Sequence, residues 1–128
     1  MAKIIVVDDE PTHLDFVATI LERAGHDVVA IGNGADCLER IEANAFDVMV
    51  ADIFMPDLDG LRLLAAMRAR GSRIPVIGMT GGMKGVVAPF ADIMSRMGAR
   101  SVLTKPFSGD ELLRAVQASL TDGPDREG

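Results

Sequence analysis

The sequence predicts an α/β fold: a parallel sheet covered by helices on both faces. Two observations carry that expectation. Short apolar runs alternate with amphipathic stretches along the chain, giving five strand–helix units. The strand-like runs, such as Ile4-Ile5-Val6-Val7, are apolar at successive positions instead of every second one, as in strands buried on both sides. Right-handed crossovers then restrict the topology further.

Lys3–Asp8 reads as the first strand, and Pro11–Ala24 as a helix with Leu14, Val17, Ala18, Ile20 and Leu21 on one face. Gly25 is a natural stop for it. Asp27–Ile31 is the second strand, and Asn33 caps a helix that turns Cys37, Leu38 and Ile41 inward. Phe46–Asp52 is the third strand; Asp57, Asp59 and Gly60 supply turn chemistry, and Leu61–Arg70 is a helix ending at Gly71. Ile74–Met79 is the fourth strand, followed by a helix over Val87–Met97 with Pro89 in its first turn. Arg100–Thr104 is the fifth strand. Ser108 and Glu111 form a capping box that opens the last helix, which runs to about Leu120. Residues 1–120 thus read as one domain, with 121–128 as a polar, Gly- and Pro-containing flexible tail.

Composition narrows the function classes. Hydrophobic residues make up 48% and charged residues 25% of the 128, which suits an ordinary globular domain. No apolar stretch approaches a membrane span, and no secretory signal opens the chain. A single cysteine, Cys37, cannot form an internal disulfide, so a cytoplasmic setting is expected. A net charge of −6 argues against direct nucleic-acid binding, and the absence of Trp and Tyr leaves little for base stacking.

Ligands in such sheets bind at the carboxyl ends of the strands. There the sequence places Asp8 and Asp9 after the first strand, Asp52 after the third, Thr80 after the fourth and Lys105 after the fifth. Each has an ordinary alternative: adjacent acids cap helices, a threonine fills a turn, a lysine decorates a surface. Together they are harder to dismiss. Carboxylates crowded into one pocket repel one another, and a hard divalent cation such as Mg²⁺ resolves that repulsion.

The segments VVDDEP (6–11), DIFMPDLDG (52–60), MTGG (79–82) and LTKPF (103–107) resemble those of the receiver domain of two-component response regulators, with similarity from Lys3 to Leu120. The resemblance implies a flavodoxin-like, doubly wound (βα)5 fold with a five-stranded parallel sheet in the order 2-1-3-4-5. It implies that Asp52 accepts a phosphoryl group and that Asp9, Asp52 and the backbone carbonyl of Phe54 hold Mg²⁺, with Asp8 acting through a metal-bound water. Lys105 would pair with Asp52 at rest and with the phosphoryl group afterwards, Thr80 would reorient toward it, the Lys105–Pro106 bond would be cis, and Phe107 would pack in the core. The implied partners are a histidine kinase or histidine phosphotransfer protein, a downstream protein target and, on phosphorylation, a second copy in a dimer. Relay of the phosphate onward is an alternative within the family. A flavodoxin-like phosphatase with an Asp nucleophile is another, although such enzymes usually carry Asp-x-Asp after the first strand and here the acids are adjacent. A receiver is not itself a turnover enzyme.

Three features depart from the family pattern. Val102 stands where an aromatic residue is usual, which removes the usual ring switch. The loop GGMKGVVAP after Thr80 carries three glycines and is longer than is common, and its segment Gly81–Val86 is expected to order on activation. Phe54 either shields the phosphoryl group from water or belongs to a docking patch. Of the methionines near the fourth helix, Met79, Met94 and Met97 read as core and Met83 as an adaptable contact surface.

Overall fold

The structure, a computed structural model, describes residues 2–53, 60–81 and 87–122, without the side chains of 87–91 and 122. Strand and helix alternate: β1 (Lys3–Val7), α1 (Pro11–Arg23), β2 (Asp27–Ile31), α2 (Gly34–Ala43), β3 (Val48–Asp52), α3 (Gly60–Ala69), β4 (Val76–Thr80), α4 (Val87–Arg96), β5 (Ser101–Thr104) and α5 (Gly109–Asp122). The strands form one five-stranded sheet in the order β2-β1-β3-β4-β5, as the receiver resemblance implies. Every pairing is parallel.

The strand pleat sorts side chains into two cores. Ile5, Val7, Met49, Ala51 and Ile53 face Cys37, Leu63, Leu64, Met67 and Met94, on the side covered by α2, α3 and α4. Ile4, Val6, Val48, Val50, Ile77 and Met79 face Val17, Leu21, Phe107, Leu112 and Val116, on the side of α1 and α5. Phe107 and Met79 are therefore core residues, as expected, and Met97 packs half-buried against the first cluster.

Caps explain most element ends. Asn33 accepts the Asp36 amide at 2.9 Å, and the Ser108 hydroxyl accepts the Glu111 amide at 3.1 Å while Glu111 accepts the Ser108 amide at 3.3 Å. Gly25 and Gly71 end α1 and α3 at φ values of 94° and 84°, where a Cβ would be strained. β3 begins two residues later than its apolar run suggests. The Asp47 amide still donates to the Lys3 carbonyl at 2.7 Å, but its carboxylate takes the Lys3 amide at 2.8 Å in place of a backbone carbonyl, and Phe46 packs beneath the Lys3 ammonium at 5.1 Å. β4 likewise starts after Pro75, which has no amide to donate, and extends one residue further, to Thr80. α5 runs to Asp122, two residues past the expected end, with the Thr121 hydroxyl donating to the Gln117 carbonyl at 2.9 Å.

No helix among the described residues is long and apolar enough to cross a membrane. Phe54, the acids at 57 and 59, Met83, the loop 82–86 and the tail 123–128 lie outside the described residues, as do the expectations attached to them.

Candidate functional site

Three strands aim their next side chain at one place. Asp8 follows Ile4 and Val6, Asp52 follows Val48 and Val50, and Lys105 follows Leu103; alternation puts all three on the α1–α5 side of the sheet's carboxyl edge. β1 and β3 are neighbours at the centre, so their terminal carboxylates meet. The Lys105 ammonium bridges them, 3.2 Å from Asp8 Oδ2 and 3.2 Å from Asp52 Oδ2. Asp8 is sealed from solvent, Asp52 is 5% exposed, and Asp9 opens to the surface.

Local backbone contacts hold this geometry. The Gly60 amide donates to the Ile53 carbonyl at 2.8 Å, drawing the start of α3 against the end of β3. A Cβ at position 60 would lie 2.5 Å from the Asp52 carbonyl oxygen, so only glycine permits that approach. The Lys105 stem runs beside Gly81, where an added Cβ would lie 3.1 Å from its Cδ. The Lys105 amide donates to the Thr80 carbonyl at 2.7 Å, and the Lys105–Pro106 bond is cis.

Asp8 carries the densest set of partners. Its Oδ1 accepts the Glu10 amide at 2.9 Å, and its Oδ2 lies 2.5 Å from His13 Nδ1 as well as 3.2 Å from Lys105. Burial alone would raise the pKa of this carboxyl. The Glu10 amide, His13 and Lys105 more than offset that and hold it below the ordinary carboxylate value.

One oxygen from each of Asp8, Asp9 and Asp52 can be chosen so that all lie within 4.8 Å of one another. Such a set of hard anionic oxygens, one of them reachable from solvent, fits a small divalent cation better than it fits three bare charges.

Thr80 is fully buried, but alternation from Val76 and Gly78 sets it on the α3–α4 side, and its hydroxyl reaches the Gly81 carbonyl at 3.5 Å instead of Asp52 or Lys105. Asp8 and Asp9 do not cap α1; Glu10 does, accepting the Thr12 amide at 3.1 Å and the His13 amide at 2.9 Å. His13 went unread because it lies on a helix and not at a strand end. The signal available was an acid at the cap three residues before it, which fixes the first helical turn against β1.

Residues 4–117 match the model of the response regulator receiver domain. The chain belongs to the response regulator receiver family.

The receiver is 35% identical over 122 residues to protein PilH of Pseudomonas aeruginosa, covering 94% of this chain and 98% of that one. It is 32% identical over 119 residues to the alkaline phosphatase synthesis transcriptional regulatory protein PhoP of Bacillus subtilis, covering 92% of this chain but 48% of PhoP. The receiver thus spans nearly all of one curated relative and about half of the other. Among solved structures, the receiver domain of a Francisella response regulator superposes with a TM-score of 0.87 at 32% identity, covering 95% of this chain and 98% of that chain. Membership places the receiver in two-component signalling, in a family of phosphoacceptors. Its β5 carries Val102 where the family's aromatic would stand; the side chain is half-buried and would lie 3.6 Å from a Cβ at Gly78.

Proposed function

We propose that Asp52 is the phosphoacceptor of a two-component pathway, receiving its phosphoryl group from the phosphohistidine of a kinase or phosphotransfer protein. The observation that supports this most directly is the Lys105 ammonium set 3.2 Å from the Asp52 carboxylate, with Asp8 and Asp9 beside it. An Asp52 carboxylate oxygen would bond to phosphorus as the P–N bond to the donor imidazole breaks; the imidazole keeps that electron pair and takes up a proton. Asp9, Asp52 and the Phe54 carbonyl would hold Mg²⁺, with Asp8 acting through water. When bound, the cation supplies charge neutralisation at the phosphoryl oxygens. Lys105 would exchange its carboxylate partners for a phosphoryl oxygen, a change that a compact ammonium on a flexible stem suits. The Thr80 hydroxyl would turn from Gly81 toward the same group.

The added charge of about −1.5 to −2 would shift an equilibrium between conformations of the surface built from α4, β5 and α5. That surface is the proposed contact for a downstream protein target or a second phosphorylated copy, and the setting proposed is the cytoplasm. Incubation with acetyl phosphate and Mg²⁺, followed by intact mass, tests the reading. A single phosphoryl adduct on the wild type, absent from Asp52→Asn, is expected. An adduct that survives in Asp52→Asn, or turnover of small phosphate esters, would overturn it.

A further inference from the structure

His13 touches the phosphoacceptor pocket, yet the reading above gives it no part. Its ring stands edge-on to Phe107, with centroids 5.5 Å apart and planes at 87°, and lies 5.9 Å from Phe16. That packing leaves the side chain 17% exposed and directs Nδ1 to Asp8 Oδ2 at 2.5 Å. A proton on Nδ1 makes this contact a hydrogen bond donated to the carboxylate.

Asp8 Oδ2 therefore has two side-chain donors, His13 and Lys105, while the Glu10 amide serves Oδ1. The two donors differ in kind. Lys105 is shared with Asp52 and, on the phosphoacceptor reading, must leave for a phosphoryl oxygen. His13 is fixed in the first turn of α1 and wedged between aromatic rings, so it stays. Asp8 is completely buried, so bulk solvent does not reach it, and beyond the one metal-bound water of the phosphoacceptor reading its donors are protein groups. A buried carboxylate left short of donors is strongly disfavoured.

We propose that His13 is a positioning residue that holds Asp8 Oδ2 through the phosphorylation cycle, so that Lys105 can leave for the phosphoryl group without stranding a buried carboxylate. The inference rests on the phosphoacceptor reading and adds a residue to it. Its logic is a difference between two states. Without His13, Lys105 would be Asp8's sole side-chain donor, the resting pocket would grip Lys105 harder, and the phosphorylated arrangement would be disfavoured.

The test uses the full chain, Mg²⁺, and beryllofluoride as a non-covalent phosphoryl mimic, with binding followed by ¹⁹F NMR and calorimetry. His13→Phe keeps a ring between Phe16 and Phe107 but removes the donor; His13→Leu removes it with less bulk, should the larger ring perturb folding. His13→Asn restores an N–H donor. Affinity for the mimic at saturating Mg²⁺ is expected to fall about tenfold in His13→Phe or His13→Leu, from the loss of one charge-assisted hydrogen bond. His13→Asn should recover most of it, and affinity for Mg²⁺ alone should not fall in any variant. Wild-type affinity for the mimic in the folded donor-free variants would overturn the role. So would losses of Mg²⁺ and mimic binding that merely follow a loss of folded protein seen by circular dichroism. A wild type that takes up Mg²⁺ but no mimic would overturn the phosphoacceptor reading itself, which separates the two failures.

Discussion

Lys105 Nζ stands 3.2 Å from Asp8 and 3.2 Å from Asp52, one ammonium serving two buried carboxylates from neighbouring strands. Asp9 adds a third acid at the mouth of the pocket, so among the described residues acids crowd around this one ammonium. Chemistry that brings in positive charge is favoured there.

Removing the bridge exposes that imbalance. Lys105→Ala is expected to destabilise the fold by about 2 kcal/mol, below the range for fully buried pairs because the Lys105 side chain is 20% exposed. The loss should be smaller when Mg²⁺ is added, because the cation takes over part of the neutralisation. Phosphoryl uptake should fall at least about tenfold, and Lys105→Arg should not restore it, since a planar fork does not replace a point charge. Urea melts with and without Mg²⁺, together with intact mass after acetyl phosphate, check these outcomes.

Asp8 sets a pH dependence. Its pKa in the folded chain lies below the ordinary value of 3.8, so the folded state favours the ionised form. The associated stability is fully present above the unfolded pKa and is lost as pH falls through the lowered folded value. In the presence of chelator, wild-type stability should drop as pH falls below about 4. Asp8→Asn should be less stable at neutral pH, with a shallower acid decline. Chemical melts across that range decide it, and parallel declines in the two proteins would refute the assignment.

Glycines 60 and 81 make a graded pair. A methyl group at 60 meets backbone, 2.5 Å from the Asp52 carbonyl oxygen, whereas one at 81 meets the flexible Lys105 stem at 3.1 Å. Backbone cannot yield cheaply and a lysine methylene can. Gly60→Ala is expected to destabilise by about 2 kcal/mol and to slow phosphoryl uptake by displacing Asp52. Gly81→Ala should change stability by less than about 0.5 kcal/mol. Thermal melts and acetyl phosphate labelling of the two variants provide the comparison.

Much of this is legible in the sequence. Continuous apolar runs gave the parallel sheet, and the strand ends then named Asp8, Asp9, Asp52 and Lys105. What the sequence blurred has physical causes. Phe46 is apolar enough to extend β3, but the Asp47 carboxylate captures the Lys3 amide and the ladder starts later. Thr80 sits at a strand end like the acids, and counting alternate residues from Val76 turns it from their face, so it would reach the pocket only by rotating its hydroxyl away from the Gly81 carbonyl. His13 was not reachable by inspecting strand ends, because the Glu10 cap and the packing of Phe107 bring a helical residue back over β1.

Cys37 provides a check on the core far from the charged pocket. It is fully buried on α2, its thiol 3.7 Å from the Met49 sulfur, and burial pushes its pKa up to about 12. The thiolate is the reactive form, so a neutral, enclosed thiol should resist modification. In the native protein at about pH 8, Cys37 should react with a thiol reagent such as Ellman's only through transient opening, at least about a hundredfold slower than in denaturant. Because labelling then follows the population of the open state, Gly60→Ala should accelerate it by the factor by which its loss of stability raises that population. A rate unchanged by that variant would mean that α2 opens independently of the β3–α3 junction, and that the sheet's α2–α3 face is not a single cooperative core.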